Sequence, residues 1–233
     1  MISEKTFLRI PIPFKENLYI YPPSVREVVE EDNFSIYQKL LTITQEEIED
    51  EYIKKNIEGD IPTPLQYLLK NSYTDSSFSF LVRKAFYFFT KQNARIIPDE
   101  EKIIFKVEGK NIVLEKEEYF DFQNLIRESL GMKSAEKPNP NEHPKIRKMK
   151  AKARYRDRIK AKQGDGLSLS SSLALICCMG IGLTPLNIGE ISYANISVLL
   201  EAYQDKEKYH LDIKTLLAGG KNIKPKYWIK NLD

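Results

Sequence analysis

Apolar residues recur at helical spacing through most of the chain, and two stretches break this pattern. The first, at 5–21, is interrupted by Pro11 and Pro13. It fits extended structure at a sheet edge, because proline cannot donate a hydrogen bond to a β-ladder. The second, at 94–115, places a turn at 108–110 between apolar runs and predicts a β-hairpin.

The helices of the first part have recognisable starting residues. Ser24 follows two prolines and precedes a helix that carries Val25, Val28 and Val29. A helical pattern covers 34–56, with a restart expected at Thr44, where Glu47 completes a capping box. Further helices are predicted from Asp75 or Ser76, with Phe78, Leu81, Phe86 and Phe89 facing the core, and at 116–131, with Phe120, Phe122, Leu125, Ile126 and Leu130 inside.

The stretch at 133–144 combines three prolines and two asparagines without apolar periodicity, so it is the expected domain boundary. We therefore predict an α+β, helix-dominated fold. An N-terminal α+β domain with a β-hairpin occupies 1–132, a Pro-rich break and basic linker helix occupy 133–166, and a small helical region occupies 167–233. Helices of this last region are expected near 168–181, 188–204 and 206–217.

Charge changes this picture at 143–163, which holds ten Lys or Arg against the single acid Asp157. The segment carries +9, and the rest of the chain carries −6, although the net charge is only +3. Such a helix can neutralise nucleic-acid phosphates, dock on an acidic protein surface or be a solvated connector. The cationic positions are Lys145, Arg147, Lys148, Lys150, Lys152, Arg154, Arg156, Arg158, Lys160 and Lys162.

Composition sets the class of protein. The chain of 233 residues is 42% hydrophobic and 30% charged, which is typical of a folded globular protein and allows one core or two smaller ones. No secretory signal or membrane-spanning run is visible, so a cytoplasmic protein without a membrane segment is expected. Cys177 and Cys178 are adjacent, and we interpret them as small buried side chains in a reducing compartment.

The chemical inventory predicts no catalytic residue, metal site or cofactor. Gly219-Gly220-Lys221-Asn222 lacks the glycine and hydroxyl positions of a phosphate loop and is better explained as a helix C-cap. The chain has only two histidines, His143 and His210, so a metal site built from a histidine cluster is not expected. The serines at 168–172 are expected to cap a helix, and the five acids within 46–51 are expected to form a solvated helix face.

The C-terminal residues carry a resemblance. In ISYANISVLLEAYQDKEKYHLDIKTLLAGGKNIKPKYWIKNL, a short helix, tyrosines within a helix that ends at an Ala-Gly turn, and a tryptophan near the terminus follow one another. These are Tyr203, Tyr209, the turn at 218–220 and Trp228. The pattern resembles the end of tail assembly chaperones of long-tailed, siphovirus-type phages or prophages of Gram-positive bacteria.

The resemblance implies a non-catalytic protein that binds the tape-measure protein and tail-tube subunits during tail morphogenesis. It adds Tyr203, Tyr209 and Trp228 to the basic positions as expected partner-binding residues, and a homo-oligomer stays open. Two alternatives remain: a nucleic-acid-binding protein that acts through 143–163, and a structural tail or baseplate component.

Overall fold

A computed structural model describes residues 3–55, 57, 60–135, 146, 149, 150, 153, 167–221 and 223–226. Within these ranges the fold is helix-dominated α+β, with two small antiparallel sheets, which confirms the predicted class. Most of the basic segment lies outside the described residues, where only Ile146, Met149, Lys150 and Ala153 are described, all as helical.

The chain begins with helix α1 (Glu4–Phe7) and a hairpin of β1 (Ile12–Lys15) and β2 (Leu18–Ile20). Pro13 lies within β1 opposite Tyr19, as expected for a strand at a sheet edge. Helix α2 (Val25–Glu30) follows, and Ser24 caps it through a complete capping box with Glu27. The predicted start of this helix is therefore confirmed.

The helical pattern at 34–56 forms two helices, α3 (Phe34–Thr42) and α4 (Gln45–Lys54). The restart at Thr44 is confirmed, because the Glu47 amide donates to Thr44 Oγ1 at 3.3 Å and the Thr44 amide donates to the Glu47 carboxylate at 2.9 Å. The acidic run on α4 is not uniformly solvated, which makes that prediction wrong. Glu49 and Asp50 are only 3% and 7% exposed, beside the fully buried Ile48.

Helix α5 (Pro64–Thr74) starts with a capping box between Thr63 and Gln66, and proline occupies its first turn. Asp75 then caps the aromatic-rich helix α6 (Ser76–Thr90), as predicted, by accepting from the amides of Ser77 and Phe78. Val82, Phe86 and Phe89 on α6 are fully buried.

The predicted hairpin is part of a three-stranded antiparallel sheet in the order β3-β4-β5. Its strands are β3 (Ala94–Ile97), β4 (Lys102–Val107) and β5 (Lys110–Leu114), and Gly109, at a φ of 81°, occupies the turn between the last two. Helix α7 (Lys116–Ser129) follows β5. Its buried face carries Tyr119, Phe122 and Ile126, whereas the predicted inward residue Phe120 is only half-buried.

Aromatic packing joins these elements. The Phe86 ring lies 5.5 Å from the Phe105 ring of β4 and 5.8 Å from the Phe122 ring of α7, and Phe14 of β1 meets Phe122 edge-on at 5.2 Å. Side chains of α7 also bind the backbone between α3 and α4. Gln123 donates to the Ile43 carbonyl at 2.7 Å, and Arg127 donates to the Thr42 carbonyl at 2.8 Å. Both carbonyls would otherwise lack helical partners.

The C-terminal part contains α8 (Leu169–Cys178), a 3-10 turn at Ile188–Glu190 and α9 (Asn195–Leu217). Ser168 caps α8, as expected for the serine cluster. The two helices predicted at 188–204 and 206–217 are instead one continuous helix from Asn195, since the linking Gln-Asp-Lys-Glu-Lys sequence contains no helix breaker. Cys178 is exposed and Cys177 is half-buried, so the expectation of two buried cysteines is wrong.

The glycine pair after α9 ends the helix, as the sequence predicts. The Gly219 amide donates to the Leu216 carbonyl at 2.9 Å, and the Gly220 amide donates to the Thr215 carbonyl at 2.9 Å. Gly219 has a φ of 90°, so the turn has the form of a Schellman motif. The division of the chain at 133 and 166 stays a prediction.

We expect Phe86→Ala to lower the free energy of unfolding by about 3–5 kcal/mol, because it opens a cavity between α6, β4 and α7. Its neighbour Tyr87 is 47% exposed, so Tyr87→Ala should change the free energy by less than about 0.5 kcal/mol. Urea denaturation followed by circular dichroism measures both values. Equal losses in the two variants would contradict the assigned inner and outer faces of α6.

Candidate partner-binding surface

The structure places only part of the predicted partner-binding set. Lys150 has a helical backbone and an exposed side chain. Tyr203 and Tyr209 are half-buried on α9. The remaining cationic positions and the C-terminal tryptophan lie outside the described residues. These are Lys145, Arg147, Lys148, Lys152, Arg154, Arg156, Arg158, Lys160, Lys162 and Trp228.

Helices α8 and α9 share a small apolar cluster with the first part of the chain. Val25, Ile176, Ile188 and Ile196 are its buried members. The surrounding leucines are only partly buried, and they come from both helices. These partly buried leucines are Leu169, Leu173, Leu199 and Leu200. A cluster with so few buried members leaves much of the apolar faces of both helices accessible.

Backbone hydrogen bonds hold this C-terminal unit against the N-terminal part. The Val25 amide donates to the Ile191 carbonyl at 3.0 Å, and the Tyr193 amide donates to the Pro23 carbonyl at 2.9 Å. The Tyr193 ring also meets the Phe34 ring edge-on at 5.3 Å. Residues 23–25 and 191–193 thus form what we call the N–C interface, which sets where α9 begins.

Ion pairs lie beside the N–C interface, and one of them, between Arg26 and Glu190, crosses it. The Glu27 carboxylate lies 2.9 Å from Arg9 and 3.1 Å from Lys91, and Arg26 lies 2.7 Å from Glu190. Burial tends to raise the pKa of Glu27, but hydrogen bonds from the Ser24 amide and from Lys91 outweigh it and hold the pKa below its usual range. The folded state therefore favours the ionised carboxylate.

Away from the N–C interface, α9 offers apolar side chains to solvent. Within the described residues 197–217 no side chain is fully buried. Tyr209, Ile213 and Leu216 follow one another at the i, i+4, i+7 spacing of one helix face, and Leu217, which is 84% exposed, lies at the edge of this face. This surface, which we call the α9 apolar surface, suits helix-to-helix contact with a partner.

A second site is a cleft of about 160 Å³ between the starts of α4 and α5 and one side of α7. Residues that line it are Gln45, Thr63, Pro64, Leu65, Lys116, Tyr119, Phe120, Gln123 and Ala135. Tyr119 is 3% exposed, burial raises the pKa of its phenol, and its hydroxyl has no hydrogen-bond partner among the described residues. The spacing of Tyr119, Phe122 and Ile126 could have indicated from sequence that Tyr119 faces inward.

Other chemistry is not evident in the part of the chain that the structure describes. There, no group of three or more His, Cys, Asp or Glu side chains could hold a metal ion. No helix in the same part is both long and apolar enough to cross a membrane. Comparison with protein-family models, with curated proteins and with solved structures finds no match.

We expect Glu27→Gln to destabilise the protein at pH 7 and to have a smaller effect at pH 3. The folded-state pKa of Glu27 is depressed, so its stabilising contribution is complete above the unfolded-state value of about 4.3 and disappears as the pH falls through the folded-state value. Urea denaturation at the two pH values measures the difference. The same loss of stability at both would show that the Glu27 charge is not what matters.

We expect Tyr119→Phe to raise the free energy of unfolding by about 1 kcal/mol, because it removes a buried hydroxyl that lacks a partner. Tyr67→Phe is the matched control. The Tyr67 hydroxyl donates to Glu51 at 3.3 Å, so its loss should lower the free energy by about 0.5–1.5 kcal/mol. Thermal denaturation of both variants tests this, and destabilisation by Tyr119→Phe would imply a hydrogen-bonded phenol.

Proposed function

We propose that this chain is a phage tail assembly chaperone that binds the tape-measure protein and tail-tube subunits during tail morphogenesis and performs no catalysis. The α9 apolar surface is the observation that carries the proposal. It presents Tyr209, Ile213 and Leu216 on one helix face, with the more exposed Leu217 at the edge of that face. The C-terminal resemblance lends support, since Tyr203 and Tyr209 lie on the same helix, which ends at the Ala-Gly turn.

A chaperone for a long helical client needs exposed apolar side chains for the client and charge that keeps the complex in solution. Charged residues are interspersed along α9, among them Asp205, Lys206, Glu207 and Lys208. The client would bind the apolar side of α9, and the other sides of this helix carry charges of both signs. In this proposal the protein acts in the host cytoplasm, and the basic segment 143–163 engages acidic parts of the client.

Co-expression with the tape-measure protein tests the proposal. The chain should increase the soluble fraction of the tape-measure protein and co-purify with it. The double variant Leu216→Ser and Leu217→Ser should lose most of this effect, because it removes the exposed leucine on this face and the one at its edge. Glu207→Gln with Lys208→Gln changes exposed polar residues of the same helix and should behave as the wild type.

Solubility and co-purification that do not depend on the chain would overturn the proposal. Retention of the full effect in the leucine variant would instead place the client elsewhere. Presence of the chain in purified virions would favour the alternative of a structural tail or baseplate component. Light scattering of the purified chain measures whether it forms a homo-oligomer.

Nucleic-acid binding is the second candidate, because 143–163 carries a charge of +9. It requires affinity that falls steeply with salt concentration, since phosphate neutralisation releases counterions. Replacement of Arg154, Arg156 and Arg158 with glutamine should then weaken binding to duplex DNA and reduce the salt dependence. Absence of salt-sensitive binding in the wild type would exclude this candidate.

A further inference from the structure

Helix α6 has an outer face unlike that of an ordinary surface helix. Its inner side is fully buried, but Phe80 and Tyr87 on the opposite side are 51% and 47% exposed. Arg83 and Lys84 lie between these two rings in sequence and are also exposed. We call Phe80, Arg83, Lys84 and Tyr87 the aromatic–basic face. The outer side of an amphipathic helix normally carries polar residues, so two large exposed rings call for an explanation.

The charge of this region has one sign. From residue 76 to residue 98 there are four basic residues and no acidic one. Lys91 has a carboxylate partner, since it lies 3.1 Å from Glu27. Arg83 and Lys84 have no carboxylate partner in the described part of the chain; the Arg83 guanidinium donates to the Ser79 carbonyl, and the Lys84 ammonium lies 5.5 Å from the centre of the Phe80 ring. Two cations are thus available to an anionic partner.

The spacing of the rings favours a helical partner. Phe80 and Tyr87 are seven residues apart, which is two turns or about 10.5 Å along the helix axis. A partner helix with apolar residues at i, i+4 and i+7 repeats at the same distance and can pack its ridge between the two rings. Acidic residues beside that apolar stripe would then meet Arg83 and Lys84.

A single-stranded nucleic acid fits the face less well. Bases bind proteins by stacking on open aromatic faces along a groove that follows the phosphates. Here the two rings lie two turns apart on a convex helix surface. The face is also one side of a single helix, and the cleft at α4, α5 and α7 does not include it.

We propose that the aromatic–basic face of α6 docks an acidic amphipathic helix of a protein partner. This goes beyond the proposed function, which concerns α9, and does not depend on the identity of the client. The apolar side of the partner covers Phe80 and Tyr87, while its carboxylates pair with Arg83 and Lys84. Exposed charge pairs at the rim steer association and make it sensitive to salt.

The test uses the full chain and a fluorescent synthetic helix of about three heptads, with leucines at i, i+4 and i+7 and glutamates on both sides. Fluorescence anisotropy should show binding that weakens as salt is raised. Arg83→Glu with Lys84→Glu, and separately Phe80→Ser with Tyr87→Ser, should each weaken binding about tenfold or more. Circular dichroism should show that both double variants stay folded, since all four positions are exposed.

Matched controls separate this surface from general effects. Lys106→Glu changes an exposed charge elsewhere, and Tyr73→Ser removes a ring that is 72% exposed on α5. Both should leave the affinity within about twofold of the wild type. A peptide with the same leucines but lysines in place of glutamates should bind at least about tenfold more weakly.

Several results would overturn the proposal. One is the absence of binding to the acidic peptide, and another is equal binding to the wild type and both α6 variants. Binding of a dT oligonucleotide that the α6 substitutions abolish, without an effect on the peptide, would assign the face to nucleic acid. Self-association that the same substitutions abolish, again without an effect on the peptide, would assign the face to a second copy of the chain.

Discussion

The contact of Phe86 with Phe105 and Phe122 holds together the part of the molecule on which the rest is built. Three rings from α6, β4 and α7 meet in one fully buried group. Burial of such large apolar side chains is a major favourable term in folding. Once α7 is fixed in this way, its Gln123 and Arg127 side chains reach the open carbonyls between α3 and α4. The aromatic group therefore also positions the side chains that satisfy the carbonyls at this break.

The N–C interface connects the C-terminal helices to this core. It joins residues 23–25 to residues 191–193, which are more than 160 positions apart in sequence. Tyr193 packs against both apolar clusters, so it links the large core to the small one. The small cluster alone has four buried members, too few to define a compact unit of its own. The position of α9 consequently depends on its contacts with the N-terminal part.

The two surfaces that we assign to partners differ in chemistry. The α9 apolar surface presents leucine, isoleucine and tyrosine with charges of both signs, whereas the aromatic–basic face of α6 combines two rings with cations only. A helical partner could pack on either surface through apolar residues. Only the α6 face would strongly prefer acidic flanks in that partner. The two surfaces can therefore serve different segments of one client or different proteins.

The sequence by itself determined the local structure. Side-chain caps at Ser24, Thr44, Asp75 and Ser168, and the glycine turn after α9, depend on residues within a few positions of one another, so they could be predicted from sequence. The helix-dominated α+β class followed from the same local patterns. Tertiary structure decided which sides became buried. Glu49 and Asp50 are buried although their acidic run predicts a solvated face. Tyr119 is buried where the starts of α4 and α5 lie against α7, and Phe80 and Tyr87 are exposed because the opposite side of α6 fills the core. A sequence period gives the relative direction of side chains, but only packing between distant segments determines which direction is inward.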